Sequence, residues 1–86
     1  LEETNQNTNQ FVIYPNPTNE NFSIDFKSFQ SEVTIKVENI LGKQISSQKY
    51  NNVNQITSSI KESTGIYFVK VMVNDEIIKY FKLIKN

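Results

Sequence analysis

The stretch Gly65-Ile66-Tyr67-Phe68-Val69-Lys70-Val71-Met72-Val73, followed by Asn74-Asp75 and then Glu76-Ile77-Ile78-Lys79-Tyr80-Phe81-Lys82-Leu83-Ile84-Lys85, decides the fold. In its first half, β-branched and aromatic residues occupy odd and even positions alike, the pattern of a central strand covered on both faces. Asn74 and Asp75 both tolerate the left-handed backbone region, so two residues suffice to reverse the chain into a β-hairpin. The returning strand offers Ile77, Phe81 and Leu83 to the core face and carries Ile78, Tyr80 and Ile84 on the opposite parity. A strand of this kind at a sheet edge either has its apolar excess covered within the domain or presents it to a partner.

Upstream, the same period-two signal recurs. Phe22, Ile24 and Phe26 alternate with Ser23, Asp25 and Lys27, and Val33, Ile35 and Val37 alternate with Thr34, Lys36 and Glu38, as half-buried strands do. Phe11 to Tyr14 is a short apolar run stopped by Pro15-Asn16-Pro17, where two prolines fix φ and remove two backbone donors. Gly42 can supply the positive φ of a tight turn, after which Gln44 to Tyr50 forms the second arm of a hairpin with Ile45 as its main apolar contact. Val53 to Thr57 reads as a short strand followed by a loop. Ile56 and Ile60 stand four apart, as on one helical face, but Thr57, Ser58 and Ser59 are weak helix formers, which leaves room for one helical turn at most. Short strands at this spacing predict an all-β fold, an antiparallel β-sandwich of about seven strands.

The whole chain has 86 residues, 37% apolar, and a formal net charge of zero. That length allows one domain with a single thin core, and the charge gives no electrostatic reason to expect nucleic acid. Cys, His, Trp, Arg and Ala are all absent, and Val and Ile supply more than half of the apolar residues. Without His or Cys, the usual activated serine and cysteine nucleophiles and His/Cys zinc sites have no reagents, so no catalytic residue, metal or cofactor is expected. A carboxylate pair could be drawn from Asp25, Glu32 or Glu38, but each alternates with apolar neighbours as a solvent-facing strand position does. Leu1 to Gln10 lacks any apolar period and is expected to be a flexible linker ahead of a domain spanning residues 11–86. The chain does not begin with Met, so a region upstream is expected, and no signal peptide or membrane-spanning run is present in it.

Three local patterns occur in a fixed order: Tyr14-Pro15-Asn16-Pro17, then Leu41-Gly42-Lys43-Gln44-Ile45, then Thr64-Gly65-Ile66-Tyr67-Phe68-Val69 before a lysine-bearing terminal strand. Together, over Phe11 to Asn86, they resemble the C-terminal sorting domain of the type IX secretion system, the secretion tail of cargo proteins in the Bacteroidota. The resemblance implies an immunoglobulin-like sandwich at the end of a larger secreted protein. It implies transit through the periplasm, recognition by the type IX machinery, passage of the outer membrane, and removal of the tail by a sortase-like peptidase. The cargo then ends in the medium or at the cell surface. By this analogy the cleavage site lies in Leu1 to Gln10, and the chain is a substrate with no peptidase chemistry of its own. Ser63-Thr64 before Gly65, and Asn39 before the glycine turn, depart from the family pattern but keep turn chemistry.

The residues singled out as recognition motifs are Pro15, Asn16, Pro17, Gly42, Lys43, Gly65, Ile66, Tyr67, Lys79, Lys82 and Lys85. Each has an ordinary alternative. The prolines end a strand and keep its edge from pairing, the glycines serve turns, Lys43 is solvated, and Tyr67 packs in the core with its hydroxyl bonded at the rim. The three terminal lysines suit gatekeepers against strand pairing as well as recognition. The surface of Gly65 to Val73 and Ile77 to Lys85 is the expected contact with the translocation machinery, by shape, strand-edge hydrogen bonds or lysine charge. A binding module or structural spacer of immunoglobulin type is the competing reading, although no Trp is available as a sugar platform.

Overall fold

Both upstream alternations lie on one strand. The computed structural model describes residues 10–86, which form an antiparallel sheet of β1 (Val12–Tyr14), β2 (Asn21–Asn39), β3 (Gln44–Ser59), β4 (Gly65–Val73) and β5 (Glu76–Lys85). Phe22, Ile24, Phe26, Val33, Ile35 and Val37 are all buried. Phe26 is even and Val33 odd, so an unbroken pleat would turn one set of three outward. A bulge absorbs the offset: β2 advances from Asp25 to Gln30 while β3 advances only from Gln55 to Val53. Within it Lys27 has φ 64°, its N–H donates to Asp25 Oδ1 at 2.8 Å, and Phe29 projects into solvent. Asn52 on the facing strand also has positive φ, 58°.

The bulge bends the hairpin. The 19 residues of β2 would extend about 60 Å if straight, yet the longest dimension of the molecule is 42 Å. The first half of β2 pairs β1 and the end of β3, and its second half pairs the start of β3 and β4, with β5 beyond β4. Among the described residues, five strands thus replace the expected seven. No Gly or Pro stands between Lys27 and Glu32, so β2 runs on past the bulge and resumes its pairing at Gln30, and Val53 to Thr57 is likewise the continuation of β3 rather than a separate strand.

One apolar core joins both halves of the bent hairpin to β4 and β5. Phe11 meets Phe26 edge to face, with ring centroids 5.0 Å apart, and Ile56, Tyr67, Val69, Val71 and Leu83 complete the interior. Ile56 and Ile60 are both buried, but no helical turn places them there. Residues four apart share a strand face too, and Ile60 follows the end of β3, where its N–H donates to the Glu20 carbonyl at 2.9 Å.

The reading of the final hairpin holds for β4, which lies between β2 and β5, and for the turn, where Asn74 and Asp75 have φ 52° and 68°. It fails in one detail of β5. Met72 pairs Ile77 and Val71 pairs Lys79, so Ile78 is an extra residue. This bulge leaves Ile77 half exposed and packs Ile78 against the core, the reverse of the expected parity, while Leu83 is buried as expected. The expected linker and cleavage region, Leu1 to Gln10, falls outside the described residues apart from Gln10. Among the described residues no helix is long and apolar enough to cross a membrane.

Candidate recognition surface

The three motifs, far apart in sequence, meet in one row at the end of the molecule opposite the bend. Asn39 of β2 pairs Tyr67 of β4, and Tyr67 pairs Leu83 of β5. On the far side of Leu83 stands Asn16, whose Nδ2 donates to the Lys82 carbonyl at 2.7 Å and whose Oδ1 accepts from the Ile84 N–H at 3.0 Å. A side-chain amide has the donor and acceptor of a peptide group, so Asn16 occupies the place a neighbouring strand would take. Thr18 extends the contact: its N–H donates to the Ile84 carbonyl and its carbonyl accepts from the Asn86 N–H, both at 2.8 Å. Pro15 and Pro17 end β1 at Tyr14 as expected. Their loop does more than leave an edge unpaired, because Asn16 and Thr18 clasp the end of β5.

The second motif is a tight turn organised by Asn39. Its Oδ1 accepts from the N–H of Leu41 at 2.9 Å and of Lys43 at 3.0 Å, while its backbone bonds Gly42 and Lys43. An aspartate would accept the same two bonds, which accounts for Asn39 standing where the family pattern favours Asp. Gly42 has φ 85°, a conformation side chains rarely adopt. Lys43 is exposed, and so are Ile40 and Leu41, the latter 88%.

The third motif forms the corner entering β4. Gly65 has φ 152°, Tyr67 is buried, and the Tyr67 hydroxyl donates to the Ser63 carbonyl at 2.5 Å. Lys85 Nζ donates to the Glu62 carbonyl, tying β5 to the same corner. Turn and corner together enclose a groove of about 240 Å³ lined by Ile40, Leu41, Ile45, Thr64, Ile66 and Tyr67. Of the remaining lysines, Lys79 Nζ lies 5.7 Å from the Phe81 ring and Lys82 is exposed.

The carboxylates considered for chemistry are each matched with a lysine: Asp25 with Lys27 at 3.5 Å, Glu32 with Lys49 at 3.4 Å, and Glu38 with Lys70 at 3.2 Å. The hydrogen bond to Glu38 raises the Lys70 pKa above its ordinary value, against the opposing effect of desolvation. Lys70 Nζ also sits 5.8 Å from the centre of the Tyr80 ring. Among the described residues no cluster of three potential metal ligands exists. Sequence reasoning passed over Thr18 and Ile40, and took Leu41 only as part of the second motif. An apolar dipeptide inside a glycine turn was the available signal for the last two, whereas nothing local marks Thr18.

The profile of the family described as secretion system C-terminal sorting domain matches residues 12–86. The chain is also 32% identical to the ulvan lyase NLR42 of Nonlabens ulvanivorans over 75 residues, covering 86% of this chain and 14% of the lyase. The match to the lyase thus involves a small fraction of that protein's length. The family match takes in the Pro-Asn-Pro loop, the glycine turn, the Tyr67 corner and the terminal strand that the fold gathers into one row. The chain belongs to the C-terminal sorting domains of the type IX secretion system.

Proposed function

We propose that this domain directs a larger upstream cargo through the periplasm and across the outer membrane, and that a sortase-like peptidase then removes it by cutting within Leu1 to Gln10. The carrying observation is the backbone row Asn39, Tyr67, Leu83, Asn16, which brings the glycine turn, the Tyr67 corner, the terminal strand and the Pro-Asn-Pro loop together at one end of the molecule. On this reading the type IX machinery recognises the surface formed by β4 and β5, with Lys79, Lys82 and Lys85 of β5. The residues of the three motifs, from Pro15 and Asn16 to Gly42, Lys43, Gly65 and Ile66, hold that face in shape or touch the machinery themselves. The bent hairpin supports an immunoglobulin-like sandwich as the underlying architecture, since Ile45 and Ser46 near the start of β3 share a second groove with Ser58 and Ser59 at its end. The hydroxyl of Tyr67, bonded four residues upstream, is the kind of corner such folds use. The family is one of sorting signals rather than catalysts, so the chemistry belongs to the cargo, a secreted enzyme, adhesin or binding protein.

Appending the whole chain to a periplasmic reporter tests both parts. The reporter should leave a type IX-competent cell shortened at or before Gln10. A reporter held in the periplasm would refute the sorting role, and an exported reporter whose mass still includes the tail would refute cleavage.

A further inference from the structure

The outer edge of β5 is closed along half its length only. Asn16 and Thr18 take up the Lys82 carbonyl, both backbone groups of Ile84 and the Asn86 N–H. Alternate residues of a strand aim their backbone groups the same way, and no bulge interrupts β5 between Tyr80 and Ile84. The N–H and carbonyl of Tyr80 and the N–H of Lys82 therefore point outward as well. No described residue bonds them, and β5 has no strand neighbour besides β4.

Resting on the reading that this face is recognised, we propose that the β5 edge from Ile77 to Lys82 accepts one added β-strand from a partner, and that this strand carries carboxylates. Six residues span about 20 Å, an ordinary strand length. Ile77 and Tyr80 stand half exposed beside the edge, ready to pack against an incoming side chain. Lys79 pairs Val71, whose side chain is buried, and so lies on the core side of the strand, whereas Lys82 is exposed. The edge is thus flanked by lysines on both faces. Lys70 is already engaged by Glu38, and the acids Asp75 and Glu76 sit at the hairpin, outside the open stretch.

Charge decides between occupants. Two copies of this chain pairing antiparallel about Tyr80 would set their Lys79 side chains diagonally across from each other on one face, an unfavourable contact between like charges. A strand with glutamates or aspartates finds a partner for each lysine. The clasp sets the limit of the site, because Asn16 already holds the Lys82 carbonyl and blocks pairing beyond it. Of the other exposed edges among the described strands, β1 has three residues before Pro15 and offers too short a ladder, and β3, which pairs β2 alone, has Lys49 as its one lysine, already matched with Glu32.

The test follows amide exchange by NMR in the full chain, alone and with a short synthetic peptide of alternating valine and glutamate. The peptide should slow exchange at Tyr80 and Lys82 by about tenfold or more at saturation. A valine–lysine peptide, and the valine–glutamate peptide with its edge-facing amides methylated, should not. Tyr80→Pro removes an outward N–H without touching the β4 ladder, and should abolish binding while the chain still melts cooperatively. Should that variant fail to fold, the Lys79→Gln, Lys82→Gln double variant serves instead, with peptide affinity expected to fall by about tenfold and to lose most of its salt dependence. Equal binding of the lysine peptide, protection elsewhere on the surface, or slow Tyr80 exchange in the peptide-free chain would overturn the proposal. The last result would mean that residues 1–9 or a second copy already cover the edge. If folded Tyr80→Pro loses the peptide yet still exports a fused reporter, the recognition reading fails and the strand site stands; if it keeps the peptide, the strand site fails.

Discussion

The two ends of the folded-over hairpin β2–β3 reverse the chain by different means. At the motif end, side chains bond to backbone: Asn39 to two turn amides, Tyr67 to the Ser63 carbonyl, Asn16 to both sides of Leu83, with Gly42 and Gly65 at the φ values they suit. At the bent end no glycine is present, positive φ falls on Lys27 and Asn52, the one side-chain bond to a turn amide is Asp25 Oδ1 accepting from the Lys27 N–H, and the bend closes over Phe26 packed on Phe11. The motif end is specified chiefly by turn chemistry and the bent end chiefly by burial.

The largest effects should therefore come from the bent end. Phe26→Ala removes a fully buried ring at the start of the bulge and should cost about 3–5 kcal/mol in urea unfolding. Tyr67→Phe keeps the ring and removes only the bond to Ser63, for about 1–2 kcal/mol. If the order came out reversed, local bonding rather than packing would be holding the molecule together.

The same contrast explains what the sequence disclosed. The motif end announces itself through Pro15, Pro17, Gly42 and Gly65, residues whose backbone preferences are local facts, so its turns could be read directly. The alternations Phe22 to Phe26 and Val33 to Val37 gave the core face residue for residue. Their opposite parity was visible as well, but the bend between them has no Gly or Pro, so the two runs looked like separate strands. The extra residue Ile78 was equally hidden, because a bulge is a property of the pairing with β4 and leaves no mark on β5 alone. Asn16 as a clasp depends on a contact 66 residues distant, beyond the reach of any local pattern.

A pair of substitutions at these two ends should have opposite signs. Gly42→Ala meets no neighbouring atom within 4 Å, so its cost is the left-handed backbone alone, about 1 kcal/mol. Lys27→Gly relieves a similar strain at φ 64° and should raise the unfolding free energy, by less than about 1 kcal/mol after the larger unfolded-state entropy of glycine is set against the gain. A loss of stability at Lys27→Gly would show that the lysine side chain, 3.5 Å from Asp25, matters more to the bend than its backbone strain.

The smallest expected effect is titratable and belongs to the motif end. Glu20 follows the Asn16–Thr18 clasp and meets Lys61 of the corner at 2.9 Å. The hydrogen bond and charge of Lys61 hold the Glu20 carboxyl below its ordinary pKa, with a further contribution from the Lys85 charge. A carboxyl with a depressed folded pKa adds stability above its unfolded pKa and loses it as pH falls through the folded one. Glu20→Gln should therefore melt slightly below the parent chain near neutral pH, and the gap should close by about pH 2.5, where both chains carry a neutral group there. Because the pair lies open to solvent, added salt should shrink the neutral-pH gap as well. A gap that persisted unchanged in acid would assign the effect of Glu20 to packing of its side chain instead of to its charge.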